Sequence, residues 1–358
     1  MRSGVCVDSR EFIFGHGCTR INTDRAHPCA SVCIRGLIYM YMVTRRNLLL
    51  GSATALVLRG ATLTSKERVD RALKGEDVDR TPFSFWHHFL DASQPGEEHA
   101  RSTLAFHEKF HTDLVKVMSD YPYPKPKAEW YVLREEKNPF PQQIVALEKI
   151  RDGLAGQAYF VETLFNPWKV AENLSSVEEV RKLQHEKPQA LLDALEVIAK
   201  SEANHARRSI AAGAAGVFVA IANAQDGYMT QEDYAKFSEP FDKMVFDAVR
   251  TAPLNILHLH GDKVYLDRFY KGFAAQAINY STHGTGVPIS KVRAQYSGVI
   301  LGGLDEVNYR KLTRLDLKRQ WVDAKKSAGA KFILTPGCSV PNDSTDEELS
   351  QLPKMFGA

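Results

Sequence analysis

Residues 255–265 read N-I-L-H-L-H-G-D-K-V-Y: an apolar run with histidines on alternate positions, stopping at a glycine. On a strand, alternate side chains project to one face, so His258 and His260 point the same way and Leu259 the other. On a helix the pair would diverge. Taken as a strand end, the stretch delivers two imidazoles to one place.

Strand periodicity picks out seven further runs: Pro82–Phe89, Leu114–Ser119, Ala158–Leu164, Gly216–Ile221, Ala274–Ser281, Gly298–Leu304 and Lys331–Thr335. With Asn255–His260 they make eight. Helical patterns separate most of them, clearest over Ser176–His205 and Gln231–Arg250, where apolar residues recur at three and four. A further helix follows Ser65, its expected cap, and stops at Gly75. Strand–helix alternation argues for a parallel sheet covered by helices. Eight units in one chain suit an α/β fold of the single (β/α)8 TIM-barrel type, with its active site at the C-terminal strand ends. An open doubly wound sheet is the alternative. It would normally show a G-x-G-x-x-G turn after an early strand, and the sequence has none.

The composition is that of a globular protein: 358 residues, 44% hydrophobic, 43 acidic and 46 basic side chains. A formal net charge of +3, with no basic block, gives no argument for nucleic acid as a partner. Cys6, Cys18, Cys29 and Cys33 crowd the start of the chain, and only Cys338 lies beyond. Their spacing matches no zinc module, and residues 1–41 read as a disordered leader or a mis-assigned start. In residues 42–62, Arg45 and Arg46 precede an apolar stretch from Leu48 to Leu58. That stretch is shorter than the ~20 residues of a spanning helix, so no transmembrane helix is expected. It resembles a twin-arginine export signal, which implies a periplasmic or exported protein; a cytoplasmic one is the alternative. The barrel then occupies residues 63–358.

Polar residues gather where such a barrel places its site. The first strand ends near Trp86, His87 and His88, the second at Asp120, and the third carries Glu162 and leads to Asn166. The fifth ends at His258 and His260, the sixth runs into His283, the seventh ends at Asp305 and the eighth at Cys338. Two imidazoles and one thiolate would form a three-ligand zinc site with an open position, the arrangement of catalytic zinc. Alternatively, the histidines are hydrogen-bonded rim residues and Cys338 a small buried hydrophobe. Asp120 is a candidate substrate anchor or general base, and Glu162 a candidate acid–base group. Trp86, His87, His88, Asn166, His283 and Asp305 are candidates for shaping the substrate mouth.

From about residue 64 to 350 the chain resembles the uroporphyrinogen decarboxylase superfamily. The resemblance rests on K-E-R-V-D-R-A-L-K-G-E-D-V-D-R-T-P near the start, V-M-S-D at 117–120, F-N-P-W at 165–168 and G-A-A-G-V-F-V-A at 213–220. L-H-L-H-G-D at 257–262, I-L-G-G-L-D at 300–305 and F-I-L-T-P-G-C at 332–338 continue it in the family's order. The superfamily implies a (β/α)8 fold. It contains decarboxylases and a methyltransferase branch that holds zinc through an H-x-C pair and a later P-G-C cysteine. His258 and Cys338 match that pattern, and His260 stands where the branch has cysteine. The resemblance to the decarboxylases is weaker. F-S-F-W-H-H-F replaces their arginine-bearing R-Q-A-G-R segment, Asn173 stands near the place of their tyrosine, and G-C-S replaces their late G-H-G.

The resemblance therefore implies an enzyme of the zinc-dependent methyltransferase type, with zinc as cofactor. It passes a methyl or other group to a small thiol, and a corrinoid or corrinoid protein is a donor the branch often uses. Two alternatives stay open: a decarboxylase or lyase acting on a tetrapyrrole or other carboxylate, and an exported tetrapyrrole- or corrinoid-binding protein without catalysis. A homodimer is also left open.

Overall fold

The computed structural model describes residues 62–89, 94–118 and 121–357. Asp120, the four early cysteines and the twin-arginine pair lie outside the described residues. Among the described residues, seven parallel strands form one curled sheet in chain order: β1 Leu114–Val117, β2 Tyr159–Phe165, β3 Gly216–Ile221, β4 Ile256–Leu259, β5 Ala277–Tyr280, β6 Val299–Leu304 and β7 Phe332–Pro336. Parallel neighbours need a crossover, which helices such as Pro188–Ala211 and Arg314–Ala328 supply. Between β4 and β5 the crossover shrinks to a 3₁₀ turn, Leu266–Phe269. No helix among the described residues is long and apolar enough to cross a membrane.

The expected first strand, Pro82–Phe89, is reduced to a single parallel bridge between Phe83 and Leu334. Ser84 N donates to Leu334 O (3.0 Å) and Leu334 N to Pro82 O (2.9 Å), while Asp113 N donates to Phe83 O (2.8 Å). The segment thus touches both β7 and the residue before β1 without forming a ladder. Pro82 has no N–H to give one, and Ser84 reaches Leu114 O through its hydroxyl instead. The long helical patterns also break. Ser176–His205 becomes Val177–Glu186 and Pro188–Ala211, because the residue before a proline disfavours helix. Gln231–Arg250 divides at Ser238 into Gln231–Phe237 and Glu239–Asp247, with Pro240 in the first turn of the second helix.

A parallel sheet is buried on both faces, and the strands alternate between them. Val161, Phe218, Ile256, Ala277, Val299, Leu301 and Ile333 pack together on one face with Trp86 and Leu114. Val217, Val219, Leu257, Leu259, Ile278, Tyr280, Ile300 and Leu334 face the helical layer. His258, two residues beyond Ile256, therefore lies on the same face as the first group.

The opening signature has a structural meaning. Helix Ser65–Lys74 is capped by Thr64 in a capping box with Glu67, one residue before the expected cap. It delivers Arg68, only 3% exposed, to the fully buried Asp113 at 2.6 Å. Arg80 pairs with the same carboxylate, and Phe83 N donates to it at 3.0 Å. Asp113 thereby anchors the start of the Phe83 segment. Replacing Asp113 by alanine leaves the buried Arg68 with Asp79 as its remaining ion-pair partner, takes the Arg80 carboxylate away and frees Phe83 N, and is expected to cost about 3–5 kcal/mol of unfolding free energy in urea titrations. A loss below 1 kcal/mol would show that the segment is held by something else.

Candidate functional site

His258 is the penultimate residue of β4 and is 4% exposed. The chain continues alongside β3 for one more residue, since His260 N donates to Ile221 O at 3.0 Å. It then turns at Gly261, whose φ of 128° suits glycine and where a Cβ would collide with Gln225. Cys338 follows β7 by two residues. Here too a glycine is required, because a Cβ on Gly337 would lie 2.2 Å from Ser281 Cα. The Gly337 N–H donates to Glu306 Oε2 (3.1 Å), which fixes the turn presenting the sulfur.

These constraints bring the three predicted donors together. His258, His260 and Cys338 each offer one ligand atom, and all lie within 4.8 Å of one another. Cys338 Sγ is 3.3 Å from His260 Nδ1. Across the β4–β5 register, His258 Nδ1 meets Asn279 Oδ1 at 2.7 Å. The Asn279 amide nitrogen donates to Leu301 O (3.1 Å), Thr335 Oγ1 (3.3 Å) and Pro336 O (3.1 Å), so its oxygen accepts from His258. In the neutral ring His258 Nδ1 is then the protonated nitrogen and Nε2 carries the lone pair, while the imidazolium keeps Nδ1–H on Asn279 and has a second N–H to donate to a thiolate.

The three donors sit in the wall of a cavity of about 350 Å³. Trp86, Met118, Phe165 and Phe218 supply apolar surface, and His88 also lines it. The His258 ring stacks on Phe218 at 5.0 Å, and the Lys116 ammonium lies over the other rings of this wall, 4.6 Å from Phe218 and 5.9 Å from Trp86. Lys169 enters beside Glu172, which accepts from Trp168 Nε1 (2.7 Å) and from the Tyr228 hydroxyl. Burial, and after it the Lys169 charge, hold His260 below the usual imidazole value; Glu306 opposes them. Burial pushes the Cys338 thiol up. The hydrogen bond and charge of His258, the Ser339 N–H and Lys116 outweigh that and bring it below its ordinary value.

Several residues expected at the mouth lie elsewhere. Glu162 sits between Val161 and Thr163 and so faces the helices, held by Gln143 Nε2 (2.8 Å) and His205 Nε2 (2.9 Å). Asn166 is buried and donates to Asn223, Ser238 and Asp242, tying two helices together. His87 points away from the cavity and stacks on Phe106 at 5.4 Å. His283 is exposed against Gly303 O (3.2 Å), and Asp305 caps its own loop through Asn308. Asn279, Lys116 and Lys169 are lining or supporting residues that the strand-end survey missed. Asn279 carried a usable signal, as the one amide in the apolar run A-I-N-Y.

The uroporphyrinogen decarboxylase (URO-D) family profile matches residues 121–356, well over half of the chain. The chain belongs to this family. Among solved structures, a methyltransferase from Methanosarcina mazei matches with a TM-score of 0.67 at 19% identity, covering 83% of this chain and 100% of that one. A B12-independent methionine synthase from Shewanella sp. W3-18-1, in complex with selenomethionine, matches with a TM-score of 0.54 at 11% identity. It covers 77% of this chain and 96% of that one. At such identities the likeness is one of fold. No curated protein matches the sequence.

The lowered thiol is directly measurable. In metal-free protein, alkylation of Cys338, followed on its own peptide by mass spectrometry, should reach half-maximal rate below the ~8.5 of a free thiol. In His258→Ala the midpoint should move up, since burial then acts with less opposition. An unshifted wild-type profile would contradict the His258–Cys338 coupling.

Proposed function

We propose that this URO-D family member is a zinc-dependent transferase that passes a methyl or similar group to a small thiol. The convergence of His258, His260 and Cys338 at the cavity wall carries the proposal. The donor set suits the ion. Tetrahedral zinc, with bonds of about 2.0–2.1 Å to nitrogen and 2.3 Å to sulfur, needs ligand atoms roughly 3.3–3.8 Å apart. The 3.3 Å between Cys338 Sγ and His260 Nδ1 lies within about 0.3 Å of the nitrogen–sulfur separation these bonds set. When bound, zinc would supply Lewis-acid stabilisation of a thiolate at neutral pH. In this proposal, the Phe83 bridge is the remnant of an eighth strand, closing a (β/α)8 barrel with the site at its C-terminal rim.

The chain's own residues would do the rest. Asn279 holds the His258 ring so that Nε2 faces the other donors. Cys338 deprotonates easily, because His258 and Lys116 favour its anion. Phe218, Trp86, Met118 and Phe165 keep water from a nucleophile that hydration would weaken. Lys116 and Lys169 offer positive charge to an anionic tail on the thiol or the donor; a corrinoid, free or carried by a protein, is the donor class the family resemblance suggests. Two imidazoles and one thiolate leave zinc one formal positive charge, which favours acidifying a neutral thiol. No arginine lines the cavity among the described residues, so a multiply carboxylated tetrapyrrole would lack bidentate partners there.

The test is metal content in protein made without a histidine tag. Wild type should hold one zinc per chain, and His258→Ala and Cys338→Ser should each lose it. Asn279→Ala should keep all three ligands yet bind zinc about 10–100-fold more weakly. Full retention in both ligand variants would overturn the assignment. A metal-free protein with a visible tetrapyrrole spectrum would favour a carrier instead.

A further inference from the structure

A second cavity, of about 230 Å³, adjoins the first, with Phe165 lining both. Four aromatic side chains, Tyr121, Tyr123, Phe140 and Phe165, form much of its wall. Both tyrosine hydroxyls are already committed, Tyr121 to Gln94 O (2.9 Å) and Tyr123 to Ser201 Oγ (2.8 Å). The rings are what they offer to the cavity. Glu202, from helix Pro188–Ala211, lines the same space at 1% exposure. Its Oε2 has no hydrogen-bond partner. Gln143 and His205 each bond Glu162 through one nitrogen, and no hydrogen bond joins either of them to Glu202 Oε2. Burial, reinforced by the Glu162 charge, pushes the Glu202 carboxyl well above its ordinary value. The exposed Lys125 and the Asn173 amide also line it.

A carboxyl buried without a partner is costly, and a cation held close to it would offset that cost. Aromatic faces carry negative electrostatic potential and attract cations, above all methylated ammonium groups, which ask for no hydrogen bonds. Rings plus a buried carboxyl therefore select an organic cation. A lone cation would leave Lys125 as an unfavourable neighbour, whereas a ligand with its own acid group would turn that lysine into a contact. The volume is below the roughly 300–1,000 Å³ of sites for drug-sized ligands, so the occupant is small.

We propose that this cavity binds a small betaine-type zwitterion, its methylated ammonium packed between Tyr123, Phe140 and Phe165 against Glu202 and its carboxylate at Lys125. Entry of the cation would give Glu202 the counter-charge it lacks and stabilise its carboxylate form. The site is independent of the metal, so its failure would leave the zinc assignment untouched.

Calorimetric titration of the full chain with glycine betaine tests this, beside 3,3-dimethylbutanoate, which replaces the charged nitrogen by carbon at nearly constant shape. Betaine should bind wild type, and the carbon analogue roughly tenfold more weakly or not at all. That comparison needs no variant. Glu202→Gln should weaken betaine by a similar factor and Phe140→Leu by several-fold. Lys125→Ala should weaken betaine but not tetramethylammonium. Cys338→Ser should bind betaine as wild type does, which separates this cavity from the metal site. No betaine binding at millimolar concentration, or equal affinity for the carbon analogue, would overturn the proposal. So would unchanged affinity in a folded Glu202→Gln protein.

Discussion

The carboxamide of Asn279 is the constraint on which the site depends. Its amino group is claimed by acceptors on β6 and at the end of β7, at 3.1–3.3 Å, so it cannot swing round without stranding them. Its oxygen must then accept from His258 Nδ1. One buried side chain thereby sets the tautomer of an imidazole on β4 and braces the strand that delivers Cys338. The histidine is not simply near the sulfur; its lone pair is directed before any ligand arrives.

The two-residue period of the strands arranges the rest. Ile256 and His258 on β4, Val161 and Thr163 on β2, and Phe218 and Ala220 on β3 all face inward. Parallel register places Ala220 beside His258, where a larger side chain would take up cavity space. Two glycine turns complete the geometry, Gly261 by turning the chain away after His260 and Gly337 by letting the cysteine loop lie against Ser281. The same period sends Glu162 outward, into contact with His205 and within electrostatic reach of Glu202. An enclosed acidic centre thus lies behind the sheet, apart from the metal donors.

Much of this was legible in the residues. H-L-H read as a strand put both rings on one face, and T-P-G-C after an apolar run put the sulfur at a strand end; the structure brings them together. Seven of the eight strand segments lie where periodicity placed them. The first did not form a strand because Pro82 withholds a donor and the Ser84 side chain takes over a contact that a ladder would make. The survey of strand ends failed where it ignored parity. Glu162 was counted because it is acidic and near an end, although its neighbours Val161 and Thr163 already held the inward positions. Asn166 was counted for its position, while its real partners, Asn223, Ser238 and Asp242, are far away in sequence. No local pattern announces such a network. Lys116 was passed over inside an apolar strand, where its ammonium lies over Phe218 and Trp86 at the cavity wall.

X-ray absorption at the zinc edge tests the central claim most directly, because it reports the atoms around the ion rather than its presence. Zinc-loaded protein should show two nitrogen scatterers near ~2.0–2.1 Å and one sulfur near ~2.3 Å, with a second sulfur joining on addition of a small thiol. A first shell of nitrogen and oxygen alone, unchanged by thiol, would contradict the convergence of His258, His260 and Cys338 on one ion.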